Sequence, residues 1–244
     1  GELHLSILIE NMRREGFELQ VSKPAIIKKE INGEMCEPFE DVQIDVPDEY
    51  VGTVIEALGN REGVMENMTS NNGQTKLHYT VPTRGLIGFS TEFMTMTKGY
   101  GILNHTYKEY RKEAGTTVGA RKNGVLVSME NGKATAYSLG NLEDRGIMFI
   151  EPGTEVYEGM IVGECAKNED IVCNVCKTKH LTNTRASGSD DALRLVPPSK
   201  LSLEQALEFI KSDELVEITP ENIRLRKRIL SKELRMKAES RAKN

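Results

Sequence analysis

The stretch DVQIDVPDEYVGTVIEALG, residues 41–59, followed by KLHYTVPTRGLIGFSTEFMTMTKGY, residues 76–100, decides the fold. Val42, Ile44 and Val46 alternate with polar residues, the period of a strand with one buried face. Pro47-Asp48 breaks that period, and Asp48 suits the cap of a helix whose apolar face is Val51, Val54, Ile55 and Leu58. Gly59 and Gly63 bracket its end, and a strand over 64–69 runs into the turn Asn71-Asn72-Gly73. Thr75, Leu77, Tyr79 and Val81 return with period two. A second helix over 86–97 presents Leu86, Phe89 and Phe93, Lys98-Gly99-Tyr100-Gly101 stops it, and 102–110 reads as a last strand. The order is βαββαβ, the ferredoxin-like arrangement of an α+β domain, placed at 36–113.

Before it, Leu5, Leu8, Ile9 and Met12 form a helical stripe ended by Gly16, and Phe17, Leu19 and Val21 form a strand face. Pro24 and a short extended stretch at 25–29 follow, so residues 1–35 read as the end of another α+β unit with a linker. After it, at 114–244, short strands are expected at 124–129, 134–139, 147–150, 160–166 and 171–176. Asn131-Gly132 signals a hairpin, and the region reads as mainly β, a small barrel or sandwich. A polar loop at 177–193 precedes Pro197-Pro198. Ser202 and Gln205 make a capping box for a helix with Leu203, Ala206, Leu207 and Ile210 inward. Thr219-Pro220 then opens a last strand and a basic helical tail.

The composition, 38% hydrophobic and 28% charged, is that of a globular chain long enough for about two domains. No apolar run reaches the roughly 18 residues that span a bilayer, and no signal peptide is visible. Four cysteines, Cys36, Cys165, Cys173 and Cys176, make no disulfide scaffold, and a reducing cytoplasmic setting fits them. The net charge of −5 conceals a division. Nine Lys/Arg face only Glu233 and Glu239 from Arg224 onward, a net +7, so residues 1–223 carry −12. A one-sign block of this kind serves as an arm for anionic partners, or as plain solvated surface.

No phosphate-binding loop, dinucleotide fingerprint or nucleophile elbow occurs, so neither nucleotide chemistry nor catalysis is expected of these residues. Cys173, Cys176 and His180 suggest part of a zinc site, but structural zinc takes four ligands and Cys165 is off any common spacing. The competing reading puts Cys173 and Val175 on the buried face of a strand as small hydrophobes. His4, His78, His105 and His180 are dispersed and read as structural or surface residues. Arg84 stands between a strand and a helix start, where an RNA phosphate or a neighbouring carboxylate is an equally good partner. Within the loop, Lys177, Lys179, His180, Asn183, Arg185 and Ser187 have the chemistry of an RNA probe: cations for phosphates, amide and hydroxyl for sugars and base edges. A long polar loop is otherwise merely solvated. Arg224, Arg226, Lys227 and Arg228 extend the candidate RNA surface into the tail.

Several longer words of the sequence are more specific than their chemistry. GELHL at 1–5 resembles the helix opening of domain III in elongation-factor-G-like translational GTPases. VPTRGLIGF at 81–89 resembles domain V of TypA/BipA proteins, and LTNTRASG at 181–188 their family-specific loop. LEQALEFI at 203–210 and IRLRK at 223–227 are similar to the rest of their carboxy-terminal domain. The resemblance implies the carboxy-terminal part of such a GTPase, with GTP and Mg bound in a missing amino-terminal domain and no cofactor in these residues. It implies a monomer that binds the large ribosomal subunit through 23S RNA and reaches the acceptor end of A-site tRNA. It further implies roles in large-subunit assembly and in growth under stress or cold. Alternatives of another class are a module that binds a ribosomal or regulatory protein through its acidic part, and a zinc-dependent domain on Cys173, Cys176 and His180.

Overall fold

The computed structural model describes residues 2–114, 121–179 and 194–243. Two compact units emerge, one from residues 24–120 and one that joins residues 1–23 to 121–244. The chain enters the second unit with α1 (Glu2–Arg14) and β1 (Leu19–Ser22), then leaves it for the first. There follow β2 (Lys29–Ile31), β3 (Glu34–Pro47), α2 (Val51–Gly59), β4 (Val64–Asn71), β5 (Gln74–Pro82), α3 (Thr83–Leu86), α4 (Phe89–Met96) and β6 (Ile102–Lys112).

In the unit at 24–120 the strands lie in the order β6-β3-β5-β4, all antiparallel, with β2 added beside the start of β3. That is the ferredoxin-like sheet expected from the sequence. Val42, Ile44 and Val46 of β3 and Leu77, Tyr79 and Val81 of β5 point to one face, where Val54, Leu58, Phe89 and Phe93 of the helices complete a buried core. Asn72 and Gly73, both with positive φ, close β4 onto β5 in the two-residue turn whose twist suits a hairpin.

Two local expectations change. Asp48 does not cap α2: a 3-10 turn at Asp48–Tyr50 intervenes, and the Asp48 carboxylate instead accepts a hydrogen bond of 2.6 Å from Thr75 Oγ1. The helix expected over 86–97 is split, because Ile87 is extended and Gly88 takes φ +75°, a conformation that suits glycine.

The other unit continues with β7 (Val125–Ser128), β8 (Gly132–Lys133), α5 (Ala136–Leu142), β9 (Gly146–Met148), β10 (Glu155–Val156), β11 (Met160–Cys165) and β12 (Ile171–Cys173). It ends with α6 (Leu203–Phe209), β13 (Glu214–Ile218), β14 (Ile223–Lys227) and α7 (Lys232–Ala242). It is strand-rich, yet neither barrel nor sandwich. One open sheet runs β1-β13-β14-β11-β7-β12, with β9 beside β11 and only the β7–β12 pair parallel.

Alternate residues of its central strands feed two cores. Leu126, Met160 and Val162 pack with Leu139 and Leu142 of α5, whereas Val125, Val127 and Ile161 pack with Ile9 of α1 and Leu203, Ala206 and Leu207 of α6. A strand buried on both faces loses the polar alternation that would have revealed it. Residues 134–139 are not a strand. Thr135 caps α5 by accepting from the Ser138 amide, and Leu139 and Leu142 are buried. The Asn131-Gly132 turn accordingly leads β8 to a distant partner, β10. The Ser202–Gln205 capping box forms as expected, with both of its reciprocal hydrogen bonds. Unit borders at 23/24 and 120/121 depart from the boundaries read at 35/36 and 113/114, because β1 joins β13 and Ile9 enters the core with α6.

Candidate nucleic-acid interface

The described residues on either side of the polar stretch expected to be a loop, 177–179 and 194–199, are both held near α5. At its start the Lys177 carbonyl accepts hydrogen bonds from Thr135 Oγ1 and, at 3.0 Å, from Ser138 Oγ, so the first turn of α5 fastens the chain there. At its end the Val196 amide donates to Glu143 Oε1 at 2.8 Å and the Ser199 amide to the Met148 carbonyl at 2.9 Å, while Leu195 packs on the α5 core. Lys177 and Lys179 are exposed at the departing end. Arg194, one residue past the loop as the sequence delimits it, is exposed at the returning end and joins the candidate cations. His180, Asn183, Arg185 and Ser187 lie outside the described residues.

The cations from 224 onward divide into spent and unspent. Lys227 is 3% exposed, and its Nζ lies 2.5 Å from Asp170, 2.8 Å from Asp213 and 3.0 Å from Glu214. Glu214, fully buried, also receives both terminal nitrogens of Arg121, at 2.8 and 3.0 Å. Burial by itself would push Lys227 down, but Glu214, Asp170 and Asp213 more than offset it and raise its pKa. Burial likewise opposes ionisation of Glu214, and Arg121 and Lys227 overcome it and hold the carboxyl below its usual range. Asp170, Asp213 and Glu214 are the described acidic group spaced to hold a metal ion, and the Lys227 ammonium already lies among them. Lys227 is therefore an internal strut, and its reading as an RNA contact is corrected on burial. Arg226 is half-buried against Glu217 at 3.2 Å. Arg228 is exposed and donates to the Ser212 carbonyl. Arg224 is half-buried and stands directly across from Glu217 in the β13–β14 pair, on the sheet face that also carries Arg226. Beyond these, α7 presents Lys232, Lys237 and Arg241 to solvent and buries none of its residues.

Arg84 is also corrected, toward its carboxylate alternative. Its Nε donates to the buried Glu37 at 2.7 Å and its Nη2 to Glu62. Next to it, Arg61 donates to the carbonyls of Gly85 at 2.7 Å and Ile87 at 2.8 Å. A side chain at Gly85 would collide with the Arg61 carbonyl, 2.4 Å from an ideal Cβ. The segment PTRGLIG thus forms a latch between β5 and α4.

Cys173 and Val175 are buried and Asn174 and Cys176 half-exposed, the two-faced pattern of the hydrophobe reading. Burial pushes the Cys173 thiol up to about 11, which disfavours the thiolate that zinc requires.

Comparison with known proteins supplies the family. The model of the TypA/BipA C-terminal domain matches residues 123–232, and that of the elongation factor G C-terminus matches residues 34–119. The chain belongs to the TypA/BipA family. It is 58% identical over all 244 residues to the large ribosomal subunit assembly factor BipA of Bacillus subtilis (strain 168). It is 54% identical over 93% of its length to the protein of the same description from Synechocystis sp., and 53% over 98% to that from Escherichia coli (strain K12). The chain spans 38–40% of the length of these curated TypA/BipA relatives. Among the described residues, no helix is long and apolar enough to cross a membrane.

Proposed function

We propose that this chain is the ribosome-recognising part of a large-subunit assembly factor. It binds 23S RNA beside the A site, and the loop at 177–193 reaches toward the acceptor end of A-site tRNA. GTP and Mg are bound and GTP is hydrolysed in a part of the protein beyond these residues, coupling hydrolysis to release, and the whole acts in assembly and in stress- or cold-adapted translation. The relatives are named as assembly factors of the large subunit, which supports the partner.

The observation that carries the RNA reading is the sorting of cations in the family-specific unit. Arg121, Arg226 and Lys227 are spent on carboxylates, whereas Lys177, Lys179, Arg194, Arg228 and Lys232, Lys237 and Arg241 of α7 stand in solvent. Exposed cations around a polar loop suit a phosphate backbone, and neutralising phosphates releases counterions. Co-sedimentation with 50S particles is therefore expected to fall steeply between low and physiological salt. Replacing Lys177, Lys179 and Arg185 together with alanine weakens co-sedimentation while circular dichroism stays unchanged. Unaltered co-sedimentation of that triple variant rejects the loop.

A further inference from the structure

The proposed RNA surface has cations but no ring of its own. Residues 177–193 contain no Phe, Tyr or Trp, whereas proteins hold unpaired bases largely by stacking them on aromatic side chains. Beyond residue 120 the family-specific unit has four aromatic residues, Tyr137, Phe149, Tyr157 and Phe209. Three of them are built into the fold. Phe149 and Phe209 meet edge-on with centroids 5.3 Å apart, packed against the core that includes α1 and α6, and the Arg121 guanidinium lies 4.2 Å over the Phe209 ring. Tyr157 packs on the α5 core and donates its hydroxyl to Glu217 at 2.8 Å. Tyr137 is the exception: it is 37% exposed and makes no hydrogen bond or ring contact with a described residue.

Its place in the fold gives that ring a use. Helix α5 holds the described residues on both sides of the polar stretch. Thr135, the cap of α5, and Ser138, in its first turn, donate to the Lys177 carbonyl, and Glu143, just past its last residue, accepts from the Val196 amide. Ser138, Leu139 and Leu142 are buried, so the other side of the helix meets solvent, and Tyr137 and Asn141, one turn apart, are exposed there. Gly140, three residues after Tyr137, sets no side chain beside the ring. The Cα–Cβ bond of a helical residue tilts toward the amino end of its helix, here the end that holds Lys177. Lys177 and Lys179 on one side of the polar stretch and Arg194 on the other are exposed cations at the same anchorage. Ring and cations are thus carried on one hydrogen-bonded support, which lowers the entropy cost of ordering them around a ligand. A phenol suits the position, since its face stacks on any base while its hydroxyl stays in water.

We propose that Tyr137 is the base-stacking residue of the RNA surface: an unpaired base lies on its ring, and Lys177, Lys179 and Arg194 take the adjoining phosphates. The proposal rests on the RNA-binding reading above and names the aromatic side chain that reading lacks.

The 244-residue chain contains no Trp, so Tyr137→Trp places a single indole at the site. A short single-stranded oligoribonucleotide and 50S particles are added to it separately, and each should quench the indole as a stacked base does. Tyr137→Ala should weaken binding of the oligoribonucleotide about tenfold, the scale of one base–aromatic stack, while Tyr137→Phe binds like the parent. Because the ring lies on the solvent side of α5, none of these substitutions should move the thermal unfolding midpoint. Unchanged binding by Tyr137→Ala, with the salt-dependent binding of the parent retained, overturns the stacking role and leaves the RNA reading intact. Weaker binding by Tyr137→Ala beside an unquenched indole in Tyr137→Trp makes the ring structural and likewise overturns it. An indole whose emission moves to shorter wavelength on 50S particles without quenching has met protein, which also overturns it. Binding of neither RNA nor 50S particles by the parent overturns both this proposal and the reading beneath it.

Discussion

At the scale of single residues, charge serves architecture more than display. Arg84 and Lys227 both sit where the sequence pattern suggests RNA contacts, and each closes a buried ion pair instead. The carboxylates that claim them are Glu37 and Glu62 in one case and Asp170, Asp213 and Glu214 in the other, most of them tens of residues away. No local pattern could announce them. Removing one partner of a buried pair leaves the other uncompensated, so Lys227→Met should cost on the order of 3 kcal/mol by urea unfolding. Arg84→Ala should similarly lower the unfolding midpoint of the 24–120 unit while leaving 50S binding unchanged at a temperature where it is folded. Loss of binding without loss of stability would restore Arg84 to the RNA surface. The pH profile has a definite sign. Glu214 titrates below its unfolded value, so its contribution is complete above about pH 4.3 and is lost as pH falls through the lowered pKa. Lys227 titrates above its unfolded value, so its contribution is complete below about pH 10.4 and is lost as pH rises through the raised pKa. Unfolding midpoints measured across pH should show a plateau between these limits, with Glu214→Gln flattening the acid side and Lys227→Met the alkaline side.

At the scale of elements, α1 and β1 matter more to the family-specific unit than their place in the chain suggests. β1 pairs with β13 over four residues, and Ile9, 3% exposed, packs on the side of the sheet that α6 covers. Ile9→Ala should therefore destabilise that unit by about 2–3 kcal/mol, as a large-to-small change in a core does. A neutral result in thermal unfolding would show that α1 is merely adjacent. Leu8, from the same expected stripe, is 56% exposed, and its truncation should change little. The 24–120 unit is readable from its sequence because its central strands alternate and its turns carry their own signals, Asn71-Asn72-Gly73 above all. The other sheet is hidden for a physical reason. Val125, Leu126, Val127 and Ser128 are all buried, with the three apolar residues divided between two cores, so no alternation survives. Residues 134–139 mislead because the cap at Thr135 outweighs a weak alternation, and β8 finds β10 across more than twenty residues. Of the candidate surface, the loop and tail are legible as composition; which of their cations remain free is not, since burial decides that.

At the scale of the molecule, the decisive quantity is how a net charge of −5 is distributed. An acidic protein approaches an acidic partner only through a segregated positive region, and long-range repulsion from the rest makes that approach sensitive to salt. Helix α7 is that region in its least encumbered form: none of its residues is buried, and Lys232, Lys237 and Arg241 are in solvent. Its attachment is slight. The Lys232 amide donates to Glu158 Oε1 at 2.9 Å, Arg235 donates to the carbonyls of Ile229 and Leu230, and Leu230 in turn lies against Gly159, so truncation after Ser231 keeps the chain anchored to the body at Leu230. Such a truncation should not move the thermal unfolding midpoint, because no apolar core is newly exposed. It should lower affinity for 50S particles and reduce the steepness of its salt dependence, by about one unit of slope for each phosphate no longer neutralised. The two readouts separate the roles of the helix: a lower midpoint makes it structural, and an unchanged slope assigns the salt-dependent contacts to the loop ends.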